Sequence, residues 1–282
     1  MKRAFFSMTH RSSIWLFLVT LSAGLLTSFV SPRQEPGEGT SAPERRAPQR
    51  FVAGEHLEYR VHYGFLNAAE AVVDVSPKLH RVNNRPCYRV NVTGRTTGAL
   101  DVFTKVRDTW QSHIDTETLQ PLEFYMRQQE GKFKKEQRVT FDHAADQARS
   151  VTNGTEVKAL RTPPDVHDVI SGYYYLRTVD FARMQPGQVV GVKAFFDNEL
   201  YDMRVKYLGR EVVSTKFGKI NVFKIVPQMP KNELFDGKES IRMWVSDDEN
   251  RIPIKAEVDL IVGAIALDLK NFRGLKVAPR WL

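Results

Sequence analysis

Two short acidic clusters are the first candidates for metal chemistry. Asp165, His167 and Asp168 place two carboxylates and an imidazole within four residues, and such groups are common metal ligands. At the start of a helix, however, this spacing does not bring all three onto one face, and the positive helix end attracts aspartates without a metal. The acidic run at 247–250 lacks the spacing, the glycine and the final glutamate of an EF-hand loop. We therefore predict no metal site and no cofactor.

The groups that could act as nucleophiles or acids follow no standard catalytic pattern. The sequence has no G-x-S-x-G, P-loop, H-E-x-x-H or C-x-x-C motif. Its one cysteine, Cys87, lies in an alternating run and is predicted to be a buried strand residue. No catalytic residue is therefore predicted. The alternative is an enzyme acting on cell-wall or glycan substrates, with carboxylates such as Asp108 and Asp197 held roughly 5–10 Å apart in a cleft.

Alternation of apolar and polar residues dominates the chain from Phe51 onward, which is typical of β-strands with one buried face. It is clearest in three runs: Leu57, Tyr59 and Val61; Tyr88, Val90 and Val92; Val258, Leu260 and Val262. Turn-forming pairs such as Asn83-Asn84 and Asn153-Gly154 separate the runs. The short spacing between runs predicts a mainly β fold of antiparallel hairpins.

One segment has helical rather than strand periodicity. After Pro163-Pro164, apolar residues recur at helical spacing from Val166 through Ile170 to Tyr173. Proline is favoured in the first turn of a helix, and aspartate suits the positive N-terminal end. The pattern predicts one helix over about 165–181.

A weak internal repeat flanks this helix. Residues 85–124 and 219–256 each contain a strand, a loop, a Trp-bearing strand, an acidic turn and a strand entered through proline. The Trp110–Pro121 spacing is 11 residues and the Trp244–Pro253 spacing is 9. We predict two similar β halves, about 51–160 and 190–275, that form one curved antiparallel sheet as an open or closed barrel. Residues 51–282 would be a single domain.

The N-terminal region has the composition of an export signal followed by a linker. Lys2, Arg3 and Arg11 precede a stretch from Ile14 to Val30 without a charge, which predicts a signal peptide or an uncleaved membrane anchor over 1–30. Either form places the rest of the chain outside the cytoplasm, in the periplasm or cell envelope. Residues 31–50 are rich in proline and mixed charge and are predicted to be a disordered linker.

The positive charge of the chain does not indicate nucleic-acid binding. Residues 1–50 account for +4 of the net charge of +8, so that residues 51–282 carry the other +4. The densest basic run, Lys132, Lys134, Lys135 and Arg138, is interrupted by acidic residues and is interpreted as a solvated hairpin turn. A membrane would be contacted only through the N-terminal segment, if that segment is retained.

The loops of the two repeats offer one hint of a binding site. Loops usually carry polar tips, whereas these are apolar, and the two tyrosines of the helix could line the same opening. The candidate ligand-binding residues are Leu100, Val102, Phe103, Tyr173, Tyr174, Leu234 and Phe235. The hypothesis is a lipid-like apolar or amphipathic ligand held between sheet and helix. The alternative is that these side chains simply pack into the core.

Several short segments, taken in order, are familiar. They are Gly54-Glu55, Tyr59, Tyr63-Gly64, 105–108, 114–121, 168–177, 197–199 and 253–257. Together they resemble the bacterial family catalogued as domain of unknown function 3108, over about 51–275. The resemblance implies an exported envelope protein and supplies no catalytic residue, because the family has no assigned reaction. We therefore expect a non-catalytic envelope protein that binds a lipid-like ligand or assists envelope assembly with an envelope protein partner; a membrane-anchored scaffold is a further alternative.

Overall fold

A computed structural model describes residues 49–228, 239–260 and 263–282. Within these ranges no helix is long and apolar enough to cross a membrane. The predicted signal segment and nearly all of the predicted linker lie outside the described residues, as do Leu234 and Phe235.

Within the described residues, fifteen strands form one antiparallel sheet. They are β1 His56–Tyr63, β2 Leu66–Val75, β3 His80–Val82, β4 Arg85–Thr96, β5 Arg107–Asp115, β6 Pro121–Glu130, β7 Phe133–Asp142, β8 Gln147–Thr152, β9 Thr155–Arg161, β10 Val189–Phe196, β11 Glu199–Thr215, β12 Gly218–Gln228, β13 Ile241–Ser246, β14 Pro253–Asp259 and β15 Ala264–Arg273. The sheet runs from β10 to β15, continues through β1, β2 and β4, and ends at β9, with β3 paired to β4. The two halves of the chain therefore meet where β15 pairs with β1.

The sheet curls until distant strands touch. Counting β10 as the first strand along the sheet, β5 is the tenth. A flat sheet would therefore separate the two strands by about 43 Å. The ring centroids of Trp110 on β5 and Phe196 on β10 nevertheless lie 5.4 Å apart. The Gln137 amide on β7 also donates to Asn198 in the turn after β10, at 3.0 Å. The sheet is therefore barrel-like but open, because its described edge strands, β9 and β10, do not pair with each other.

In the described residues two α-helices interrupt the strands, the short α1 (Gly98–Phe103) and α2 (Val169–Thr178), and a 3-10 turn at Phe181–Arg183 follows α2. The predicted start at about residue 165 was too early, because His167 instead forms a parallel bridge with Ala194, on the edge of β10 that is not paired with β11. Asp168 then caps α2 by accepting hydrogen bonds from the backbone amides of Ile170 and Ser171, both at 2.8 Å. The capping role predicted for this aspartate is confirmed.

A buried ion pair holds α2 inside the curled sheet. The Arg177 guanidinium donates to both carboxylate oxygens of Glu55, at 2.6 and 2.7 Å, and both side chains are almost completely buried. Arg177 also donates to the backbone oxygen of Asn250, and the Tyr174 hydroxyl donates to Glu55. Burial opposes the positive charge, but the Glu55 carboxylate outweighs it and raises the pKa of Arg177. These contacts therefore join the segment before β1, helix α2 and the turn before β14.

The two copies of the predicted repeat share the form of their turns but differ in the surroundings of their tryptophans. Pro121 and Pro253 each begin a strand beside a β-bulge, and the preceding turns each contain a residue with positive φ, Leu119 and Arg251. Trp110 stacks in the interior. Trp244 is also buried, at 6% exposed, but its indole N–H donates to Glu211 and two lysine ammonium groups lie 5.3 Å from its ring. The two tryptophans therefore differ in their neighbours, which are aromatic rings for Trp110 and charged groups for Trp244.

Both ends of the folded domain lie at one end of the curled sheet. Gln49 bonds the Tyr88 hydroxyl near the start of β4. Leu282 donates its backbone N–H to Lys219 at the start of β12, at 2.7 Å. The strand pairings place the starts of β4 and β12 at the same end, opposite the turn between β1 and β2.

Candidate functional site

Three neighbouring connections at the other end of the sheet carry exposed apolar side chains. The β1–β2 turn carries Phe65 and Leu66, α1 carries Val102 and Phe103, and the β6–β7 turn leads into Phe133. Their exposed fractions are 94, 54, 84, 82 and 45%. We call these five residues the apolar rim. An exposed apolar patch of this kind is unusual on a soluble domain and typically marks a contact surface.

The sheet brings the three connections side by side. The Thr97 amide donates to the Ala68 backbone oxygen at 3.0 Å, which ties the start of α1 to β2. The Gly131 amide donates to the Lys105 backbone oxygen at 2.9 Å, which ties the β6–β7 turn to the segment after α1. The apolar rim is therefore continuous across strands β1 to β7 rather than scattered.

Polar contacts on its inner side hold α1 in place. Arg107 donates to both carboxylate oxygens of Asp101, at 2.7 and 2.9 Å, and the Thr96 hydroxyl donates to the same carboxylate at 2.6 Å. The Arg107 bonds also lower the pKa of Asp101. Because α1 buries none of its residues, this polar tie rather than core packing orients it. Val102 and Phe103 consequently project into solvent.

Basic side chains lie between the apolar ones. Lys132 and Lys134 flank Phe133 in the sequence, and all three side chains are exposed. Lys105 is also exposed, two residues after Phe103. The combination of apolar tips and flexible ammonium groups can insert into an apolar layer while the charges stay at a wet, anionic boundary.

A buried pair of carboxyl groups lies at the rim-facing ends of β5 and β6. Asp108 and Glu130 are 3 and 2% exposed, and one buried oxygen of each accepts no hydrogen bond within the described chain. Burial raises the pKa of Glu130 to about 8, with help from the neighbouring Asp108 charge, and burial raises the pKa of Asp108 to about 6. The two groups therefore share a proton at neutral pH.

The predicted ligand-binding residues separate into three groups. Val102 and Phe103 lie on the apolar rim, with half-buried Leu100 beside them on α1. Tyr174 is fully buried and Tyr173 packs against it, with ring centroids 5.1 Å apart, so the helix tyrosines belong to the interior packing. Leu234 and Phe235 lie outside the described residues. No opening shared by α1 and the helix tyrosines is seen among the described residues.

Sequence analysis missed three members of the rim. Phe65 and Leu66 follow Gly64, and Phe133 follows Gly131 by two residues. The sequence did contain a signal for them: an apolar residue near a turn glycine stands at the tip of a hairpin, where side chains are usually exposed. The 132–138 run was interpreted only by its charges, so Phe133 was not singled out.

The residues first considered for chemistry have structural roles in the described chain. The Asp168 carboxylate caps α2 and accepts a hydrogen bond from the Ser112 hydroxyl at 2.6 Å. Burial lowers the pKa of His167 to about 4 and raises the pKa of Cys87 to about 11, so both are held neutral. Asp197 pairs with Lys135, whereas Asp108 pairs with Glu130. The two carboxylates named for an enzyme thus have different partners.

Comparison with protein families gives a direct assignment. A family model described as "Protein of unknown function (DUF3108)" matches residues 58–270. The chain belongs to the DUF3108 family. The match confirms the resemblance seen in the sequence. No curated protein matches this DUF3108 chain significantly.

One solved structure confirms the fold class of this DUF3108 protein. A β-barrel-like protein of the DUF1849 family from Brucella abortus is 10% identical, has a TM-score of 0.53, and aligns over 80% of this chain and 99% of its own. A candidate exported protein with a YmcC-like fold from Bacteroides fragilis aligns over 81 and 100%, at 10% identity and a TM-score of 0.39. A candidate lipoprotein from Parabacteroides distasonis aligns over 80 and 97%, at 12% identity and a TM-score of 0.31. At such identities the likeness concerns the fold alone.

Proposed function

We propose that this DUF3108 protein is a non-catalytic, exported protein of the cell envelope that binds an apolar or amphipathic, lipid-like partner on its apolar rim. The observation that carries the proposal is the convergence of Phe65, Leu66, Val102, Phe103 and Phe133 in solvent at one end of the sheet. Leaving such side chains in water forgoes roughly 1.5–3 kcal/mol for each one that could be buried. A partner that covers them recovers this free energy.

The rim is a better candidate for the lipid-binding surface than the space inside the curled sheet. The two cavities between α2 and the sheet have volumes of about 60 and 50 Å³, whereas ligand pockets generally measure roughly 300–1,000 Å³. Tyr173 lines both cavities, and Tyr174 fills the space next to one of them. We therefore place the lipid-like partner at the outer end of the sheet, and not in the space between sheet and helix where the sequence analysis expected it.

Export is supported by the N-terminal sequence. A positive segment followed by an uncharged apolar stretch over 1–30 has the pattern of an export signal. Cleavage would release the domain into the periplasm, and retention would make it a membrane-anchored scaffold with the same rim. The alternative partner of the rim is another protein of the envelope, bound during envelope assembly.

Serine substitutions in the rim test the proposal with a zwitterionic lysophospholipid that carries an environment-sensitive fluorophore. We expect the full chain to bind this probe saturably. Phe65→Ser with Phe103→Ser should weaken binding at least about tenfold, because two rings that would be buried on the probe are lost. Since both rings are exposed, the urea midpoint should not change.

The matched control replaces two equally apolar side chains away from the rim. Leu79 and Val212 are each 53% exposed, and Leu79→Ser with Val212→Ser should bind the probe like the wild type. Equal affinity of the rim variant, the control and the wild type would show that the rim is not the binding surface.

A further inference from the structure

We propose that the rim docks on one kind of partner, the surface of a lipid bilayer containing anionic phospholipids. This inference rests on the proposed function and specifies the partner of the same surface. Its added observation is the placement of Lys105, Lys132 and Lys134 among the apolar tips, all with exposed side chains. The apolar tips enter the acyl boundary, and the ammonium groups remain at the level of the lipid phosphates.

The charge pattern favours a membrane over a protein partner. Lysine is depleted from the buried core of protein–protein interfaces, whereas aromatic residues beside lysine are typical of segments that lie at membrane surfaces. Here Phe133 stands directly between Lys132 and Lys134, so a surface that buried the ring would also have to accommodate both ammonium groups. An anionic bilayer does so without dehydrating them.

The shape of the site agrees with shallow insertion. The apolar side chains project from three adjacent connections rather than lining a groove. The two hydrogen bonds that join these connections through Thr97 and Gly131 are made by backbone groups, so the tips are held together as one surface. A flat, fluid partner can accept several short projections at once, and no complementary pocket is needed.

The test is flotation of the full-length protein with vesicles of phosphatidylcholine alone or with added phosphatidylglycerol. We expect binding to the mixed vesicles, weaker binding to the neutral ones, and release as salt is raised. Each lysine near an anionic surface contributes about fivefold in affinity. Lys132→Glu with Lys134→Glu should therefore reduce binding to the mixed vesicles roughly 25-fold or more.

A charge-matched control comes from the hairpin at the opposite end of the sheet. Lys216→Glu with Lys219→Glu makes the same change in net charge and should leave flotation unchanged. Equal binding to both kinds of vesicle, or equal loss in both lysine variants, would overturn the anionic-membrane inference but not the proposed function. The Phe65→Ser, Phe103→Ser variant gives a further outcome. If it still floats with the vesicles but no longer self-associates, the rim binds a second copy of this chain and the anionic-membrane inference is wrong.

Discussion

Arg177→Met should lower the free energy of unfolding by about 3–5 kcal/mol, measured by urea denaturation. The substitution keeps an apolar chain of similar length but leaves the Glu55 carboxylate in the interior without its cation. Both carboxylate oxygens of Glu55 accept from Arg177, and the pair is at most 1% exposed. An uncompensated buried charge is one of the few single changes that cost this much.

Two further variants show whether the cost comes from burial of the pair. Arg183 is 88% exposed and pairs with Asp180, so Arg183→Met should cost less than about 1 kcal/mol. Combining Glu55→Met with Arg177→Met removes both charges and should recover part of the loss. If Arg177→Met is no more costly than Arg183→Met, the ion pair does not hold α2 in the sheet.

The second large effect is a loss of stability with rising pH that comes from Glu130. The folded chain raises the pKa of this carboxyl group to about 8, so it keeps a proton that the unfolded chain releases near its usual value of about 4.5. This contribution is fully present at low pH and is lost as the pH rises toward 8. The urea-derived free energy of unfolding should fall by about 2 kcal/mol between pH 6.5 and 9 from this group.

Glu130→Gln isolates that contribution. The amide has nearly the same shape but no acidic proton, and its NH₂ group can donate to the Asp108 carboxylate. The variant should therefore lack this part of the pH dependence. Glu136→Gln, on the exposed side of β7, should retain the wild-type profile. A slope in Glu130→Gln equal to the wild-type slope would contradict the shared-proton interpretation.

The fold class was predictable because local patterns determine it. Along β1 the buried residues Leu57, Tyr59 and Val61 alternate with more exposed polar ones, and such alternation is visible in a single sequence. The residues that carry the family resemblance also have structural roles, since Gly54-Glu55 meets 168–177 through the Glu55–Arg177 pair. Turns with positive φ at Asp197 and Asn198 likewise follow from residue type.

Strand register was not predictable in the same way. The spacing from Trp110 to the following proline is 11 residues, and the spacing from Trp244 to the following proline is 9. A shift by an odd number of residues moves a side chain to the other face of a strand, and bulges beside Pro121 and Pro253 hide such a shift from a simple count. The helix start was missed for a related reason, because pairing of His167 with Ala194 depends on a strand distant in sequence.

The candidate site was predictable only in part. Val102 and Phe103 were recognised from an apolar loop tip, but nothing local distinguishes Tyr174, which is buried by strands from both halves. Continuity of the rim depends on the adjacency of three connections that are far apart in the chain. That adjacency arises from the sheet order, which residue patterns alone do not define.

The position of the two domain ends has a practical consequence. Gln49 and Leu282 both lie at the end of the sheet opposite the rim. Protein attached to a chip or bead through either of these ends would therefore present its apolar rim to the solution. A reporter fused at either end would sit on the far side and not shield them. Immobilised protein should therefore capture vesicles or lysolipid as well as free protein does, and inverted attachment through a rim lysine should abolish capture.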